Sequence, residues 1–121
     1  MQTILLVDDD RSILIAWARL LKLDGYLVEI ANDGKTGLDA AMRLHPSVVV
    51  TDRSMPGMDG IELCRRIRYE PKLAKVSLVL SSADDDIAFG TPIWDEFWRK
   101  PVPAETMLWS MRRLVAMSHK L

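Results

Sequence analysis

The chain has 121 residues, 49% of them hydrophobic and 27% charged, with a formal net charge of -1 at pH 7. That is the length and composition of one globular domain with a substantial core, and the near-neutral balance excludes an electrostatic case for binding nucleic acid or an anionic membrane. The single cysteine, Cys64, excludes an internal disulfide, and no run approaches the roughly 20 apolar residues a bilayer span requires.

The N-terminus enters a strand almost at once. No basic region followed by an apolar stretch marks a secretory signal, so a reducing, cytoplasmic setting is expected. Ile4-Leu5-Leu6-Val7 is a short apolar run that ends on Asp8-Asp9-Asp10, a buried strand with acids at its tip. A helix is predicted from about Arg11 to Leu23, with Asp10 its favoured cap. Ile13, Ala16, Trp17, Leu20 and Leu21 form its predicted inner face, and Gly25 ends it. Leu14, Ile15, Ala18 and Leu23 are left as an apolar outer face.

Leu27 to Ile30 is a second strand, and Asn32-Asp33-Gly34 a turn. A second helix is predicted from about Lys35 to Leu44, closed by Pro46, with Gly37 costing it about 1 kcal/mol relative to alanine. Asp33-Gly34-Lys35-Thr36 is not the end of a phosphate-binding loop, because that motif needs a glycine where Glu29 stands.

Ser47 to Thr51 is a third strand, β-branched as strands buried on both faces are. It runs into Asp52, after which Met55-Pro56-Gly57 forces a turn. Asp59 caps a third helix carrying Ile61, Leu63, Cys64 and Ile67, which ends before Pro71. Cys64 reads as a buried structural thiol. Val76 to Leu80 is a fourth strand ending at Ser81-Ser82-Ala83.

The stretch from Asp84 to Pro92 leaves room for one or two turns of a fourth helix, with Asp84-Asp85-Asp86 as its solvated acidic start. Glu96 to Arg99 is a weak fifth strand, followed by Lys100-Pro101. A last helix runs from about Pro103 to Met117, with Met107, Leu108, Met111, Leu114 and Val115 on one face. His45 and His119 have no partner at metal-ligand spacing and read as surface residues. Strand and helix alternate five times over short connections, which predicts an α/β fold. The sheet is five-stranded, parallel and doubly wound, in the order 2-1-3-4-5, with a shortened fourth helix.

In that order Asp8, Asp9, Asp10, Asp52, Ser82 and Lys100 all reach the C-terminal rim of the sheet, where open α/β sheets bind ligands. Carboxylates so placed repel one another and raise one another's pKa. A hard divalent cation such as Mg²⁺ relieves that repulsion and takes oxygen ligands. An Asp carboxylate can be the nucleophile that accepts a phosphoryl group, with Lys100 and the Ser82 hydroxyl stabilising its oxygens.

At this point the sequence resembles the receiver domain of two-component response regulators. The matching residues are Leu6-Val7-Asp8-Asp9-Asp10, the run from Asp52 to Gly60, Ser81-Ser82-Ala83 and Lys100-Pro101. The resemblance spans essentially the whole chain and implies a single receiver domain over residues 1–121. It implies that Asp52 is the phosphoacceptor, and that Asp9, Asp52 and the backbone carbonyl of Ser54 bind Mg²⁺ or Mn²⁺, with Asp8 acting through water. It implies further that Ser82 is the switch hydroxyl, that Lys100 pairs with the phosphoryl group, and that Lys100-Pro101 is a cis peptide. Phe97 stands where the family often has a tyrosine switch.

The implied donor is a phosphohistidine on a sensor histidine kinase or histidine phosphotransfer protein. The implied activity is that of a phospho-accepting switch with intrinsic hydrolysis of its aspartyl phosphate, not of a dedicated enzyme. No DNA-binding or catalytic domain follows the last helix, so the output is expected to be contact with a downstream protein, unless the receiver belongs to a longer chain. The outer face of helix one, or Trp94, Trp98 and Trp109 on the last strand and helix, are candidate surfaces for that contact or for a dimer.

Two other functions fit parts of the pattern. Asp8-Asp9-Asp10-Arg11-Ser12 also resembles the Asp-x-Asp opening of haloacid-dehalogenase-type phosphatases, in which Asp8 is the nucleophile. A non-phosphorylated pseudo-receiver acting only as a docking module is the third reading.

Overall fold

The computed structural model describes residues 2–84 and 92–118. Five strands, β1 (Thr3–Val7), β2 (Leu27–Ala31), β3 (Val48–Asp52), β4 (Ser77–Ser82) and β5 (Glu96–Arg99), form one parallel sheet in the order β2-β1-β3-β4-β5. Four helices are described: α1 (Arg11–Leu23), α2 (Gly34–Leu44), α3 (Gly60–Tyr69) and α4 (Ala104–Ser118), with a 3-10 turn at Pro71–Leu73. The fourth helix expected after β4 falls on residues outside those described, as does His119. No helix among the described residues is long and apolar enough to cross a membrane.

Strand alternation splits the core into two layers. Ile4, Leu6, Val48, Val50, Val79 and Trp98 face α1 and α4, where they meet Leu14, Leu21, Met107 and Met111. Leu5, Val7, Val49 and Leu78 face α2 and α3, where they meet Ala41, Leu63, Cys64 and Ile67. Gly37 is explained by this packing, since a Cβ there would come within 2.9 Å of a Val7 methyl carbon. Burial pushes the Cys64 thiol up to about 12, consistent with a structural role.

The expected face of α1 is corrected. Leu14, Ala18 and Leu21 are buried, while Ala16 is exposed and Ile13, Trp17 and Leu20 are half-buried. Residues 13–18 are all apolar, so a 3.6-residue period fits two faces equally well; contact with β2, β1 and α4 selects the one at spacing 14, 18, 21. Leu14 and Ala18 are therefore not available as a docking patch. Trp98 is corrected too. It is buried and meets Trp17 edge to face, with ring centroids 6.0 Å apart, because its side chain enters the core layer lined by α1 and α4. Trp94 is half-buried, and only Trp109 is well exposed, at 64%.

One side chain ties β4 and the approach to β5 to α3. Arg68 donates to the carbonyls of Val76 (2.7 Å) and Ile93 (3.0 Å) and to Asp95 Oδ2 (2.6 Å). The same carboxylate oxygen accepts the Leu78 N–H at 2.7 Å. Arg68→Ala leaves two half-buried carbonyls without a partner and is expected to cost about 2–3 kcal/mol. Chemical denaturation measures it, and a loss below about 0.5 kcal/mol would show the clamp to be idle.

Candidate phosphoacceptor site

The site is assembled by strand parity. Leu6, Val50 and Trp98 share one core layer, so the positions two residues further on, Asp8, Asp52 and Lys100, leave the sheet on that same face at its C-terminal rim. Lys100 Nζ donates to Asp8 Oδ2 at 2.9 Å and to Asp52 Oδ1 at 3.0 Å. Asp8 also accepts the Asp10 N–H at 2.9 Å, while Asp9 is exposed at the mouth. Asp8, Asp9 and Asp52 each offer a carboxylate oxygen, all within 4.8 Å of one another. Lys100-Pro101 is a cis peptide.

Burial holds the Asp52 carboxyl above its ordinary range. The Lys100 hydrogen bond pulls it down, and the charges of Asp8 and Asp9 add to the rise. Burial also works to lower the Lys100 ammonium, but the hydrogen bonds and charges of Asp8 and Asp52 outweigh it and hold that group above its usual value.

A raised carboxyl pKa means that ionised Asp52 is less favourable in the fold than in the unfolded chain. Its contribution to stability is full below the unfolded value and is lost as pH rises through the folded one. Asp52→Asn removes a desolvated charge and leaves Lys100 paired with Asp8. Its thermal midpoint at neutral pH is therefore expected to equal or exceed the native one, the difference shrinking toward pH 4. A midpoint several degrees lower at neutral pH would contradict this.

The loops around the rim are fixed locally. Asp10 caps α1, accepting the N–H groups of Ser12 (3.0 Å) and Ile13 (3.4 Å), and Asp59 caps α3, accepting the Glu62 N–H at 2.8 Å. Both caps stand where the sequence predicts them. Ser54 is exposed in the loop after β3. Ser82 is buried at the tip of β4, one step beyond Ser81, the register partner of Asp52, and its Oγ accepts the Asp84 N–H at 3.0 Å. Phe97 is half-buried on β5, opposite Leu80 in register.

Two features carry no role in the sequence reading. Arg53 reaches Asp84 (3.4 Å), pairing the residue after Asp52 with the first residue of the acidic run. Gly60 lies so close to the end of β3 that a Cβ would meet the Asp52 carbonyl oxygen and stand 2.9 Å from Arg53 Cα. A glycine closing the Met58-Asp59-Gly60 turn was the available signal for the second; nothing in the sequence marks the first.

A family model described as the response regulator receiver domain matches residues 4–107. The chain is 37% identical over 115 residues to the response regulator MprA of Mycolicibacterium vanbaalenii, covering 93% of this chain and 49% of that protein. It is 36% identical over 115 residues to that of Mycobacterium leprae, covering 93% and 50%. The chain thus spans about half the length of the curated relatives it matches. Among solved structures, chemotaxis protein CheY4 of Vibrio cholerae superposes with a TM-score of 0.83 at 26% identity, over 94% of this chain and 98% of that one. The response regulator TrrA of Thermotoga maritima, solved in complex with Mg²⁺ and BeF, superposes with a TM-score of 0.85 at 25% identity, over 94% and 99%.

Proposed function

The chain belongs to the response regulator receiver domain family, and from that premise we propose that Asp52 accepts a phosphoryl group from a phosphohistidine donor. The observation that carries this reading is the meeting of Asp8, Asp9, Asp52 and Lys100 at one rim, with Lys100 hydrogen-bonded to two of the acids. Residues 1–121 act as one receiver domain, whether alone or within a longer chain.

The donor set fits a hard divalent cation. Three carboxylates converge with no thiolate or imidazole among them, the chemistry that suits Mg²⁺ or Mn²⁺. Asp9, Asp52 and the Ser54 carbonyl would hold the ion, with Asp8 acting through water. Once bound, the ion would neutralise charge on the phosphoryl oxygens and on the acids themselves.

Asp52 supplies the nucleophile. Its carboxylate oxygen attacks phosphorus, the new O–P bond forms as the N–P bond of the phosphohistidine breaks, and the imidazole leaves with the bonding electrons. Lys100 transfers its ion pair from Asp52 to a phosphoryl oxygen, and Asp8 keeps the ammonium aimed there. Ser82 exchanges its contact with the Asp84 N–H for one with the phosphoryl group. Phe97 responds by rotation alone, since it has no hydroxyl to read the change. The resulting surface binds a downstream protein, and the donor is a sensor histidine kinase or a histidine phosphotransfer protein.

Incubation with acetyl phosphate and Mg²⁺, read by intact mass, tests the reading. The native chain is expected to gain one phosphoryl group, and Asp52→Asn none. Equal uptake by both proteins would overturn the assignment.

A further inference from the structure

Among the described residues β2 pairs only with β1, which makes it an open edge of the sheet. The Leu27 N–H donates to the Gln2 carbonyl and the Ala31 carbonyl accepts the Asp8 N–H. Leu27, Glu29 and Ala31 therefore spend their backbone groups on β1, and the N–H and C=O of Val28 and Ile30 face outward. Natural edges are blunted by shortness, charged side chains, proline or a bulge; β2 has no proline, lysine or bulge, and its one charge, Glu29, is paired with Arg43.

The edge is also dressed with apolar side chains. Ile15 is 45% exposed, Leu23 81%, Leu27 50% and Ile30 38%. Between α1 and β2 lies a cavity of about 450 Å³ whose walls include Ile15, Leu23, Val28 and Ile30. A second, of about 340 Å³, wraps the start of the strand, lined by Lys22, Tyr26 and Val28 as well as by Leu27 and Leu44. Arg19 and Lys22 rim the first cavity, and among the described residues neither has a carboxylate in ion-pair range.

We propose that β2 takes up an extended segment of a protein partner as a sixth strand, a segment apolar at alternate positions and bearing carboxylates. Side chains that alternate along an added strand enter pockets on the two faces of a sheet; the larger cavity lies on the α1 face of β2 and the smaller wraps the start of the strand. The unpaired Arg19 and Lys22 select acidic residues. A second copy of this chain is a poorer occupant. Two-fold antiparallel pairing of β2 with itself, centred on the strand, would set its middle residue Glu29 against Glu29, and like charges directly opposite are destabilising.

Selection of displayed random dodecapeptides on the native protein, with counter-selection on Ile30→Lys, tests the proposal. The enriched peptides are expected to alternate apolar residues with Asp or Glu. They should bind Ile30→Lys, Leu23→Lys and the double variant Arg19→Glu/Lys22→Glu at least tenfold more weakly, and protect the Val28 and Ile30 amides from hydrogen exchange. Phosphoryl uptake should be unchanged in all three variants, which shows that they fold. The proposal is overturned if no peptide is enriched, if the charge-reversed variant binds equally well, or if binding leaves those amides unprotected. Self-association through Leu27 and Ile30, seen by light scattering at high concentration, would instead assign the edge to a second copy.

Discussion

Lys100→Met is expected to slow phosphoryl uptake from acetyl phosphate by about a hundredfold, because a preorganised charge aimed at the transferring oxygens is typically worth that much. Its effect on stability is expected to be just as informative. Lys100 Nζ lies 2.9 Å from Asp8 and 3.0 Å from Asp52, and both carboxylates are buried. Removing the ammonium leaves two close acids, with Asp9 beside them, and no internal counter-charge. Breaking a buried pair in this way costs about 3 kcal/mol. Methionine keeps most of the side-chain volume, so the loss reports charge, not a cavity.

Mg²⁺ should return much of that stability if, as proposed, it binds the same carboxylates. The thermal midpoint of Lys100→Met is thus expected to rise more on adding Mg²⁺ than that of the native chain. A variant that takes up phosphoryl groups at the native rate, or whose midpoint ignores Mg²⁺, would separate Lys100 from the site.

Gly60→Ala is expected to damage the fold and the site together. A Cβ at Gly60 collides with the carbonyl oxygen and carbon of Asp52 and with Arg53 Cα, all of them backbone atoms that cannot rotate away. Either β3 or the start of α3 must move, at a cost of about 3 kcal/mol, and the Asp52 carboxylate moves with it.

Gly57 is the control. It has φ +74° but open space around its Cβ position, so Gly57→Ala strains only its own backbone, by about 1 kcal/mol, and leaves Asp52 in place. Denaturation midpoints and phosphoryl uptake measured on both variants check the contrast. Equal losses at the two positions would mean that backbone conformation, not the approach to Asp52, explains Gly60.

The strands and the site rim were legible in the sequence for one reason. β1, β3 and β4 are short, mostly apolar runs, and Asp8, Asp52 and Ser82 stand where they stop, while Lys100 follows the weaker fifth strand and is marked by the proline after it. The parallel order 2-1-3-4-5 then carries those ends to one edge, as the structure has it.

What was illegible depends on partners distant in the chain. Residues 13–18 of α1 are apolar without a break, so Leu14 and Ala18 could not be assigned to the core until β1, β2 and α4 were set against them. Trp98 stood among the candidate surface residues, and its burial follows from contact with Trp17 of α1 in the core layer shared with α4. Arg68, in the last turn of α3, is marked by nothing in the sequence. Its carbonyl partners at Val76 and Ile93 lie in the connections before β4 and β5, and no local pattern announces them.

The central claim is that these acids and one ammonium serve a phosphoryl group on Asp52, and locating the modified residue tests it most directly. Borohydride reduction of the phosphorylated chain, followed by peptide mapping, marks the aspartate that carried the group. The mark is predicted on Asp52. Finding it on Asp8 would make Asp8 the nucleophile, as in the phosphatase reading of the Asp-x-Asp opening, and would contradict the account.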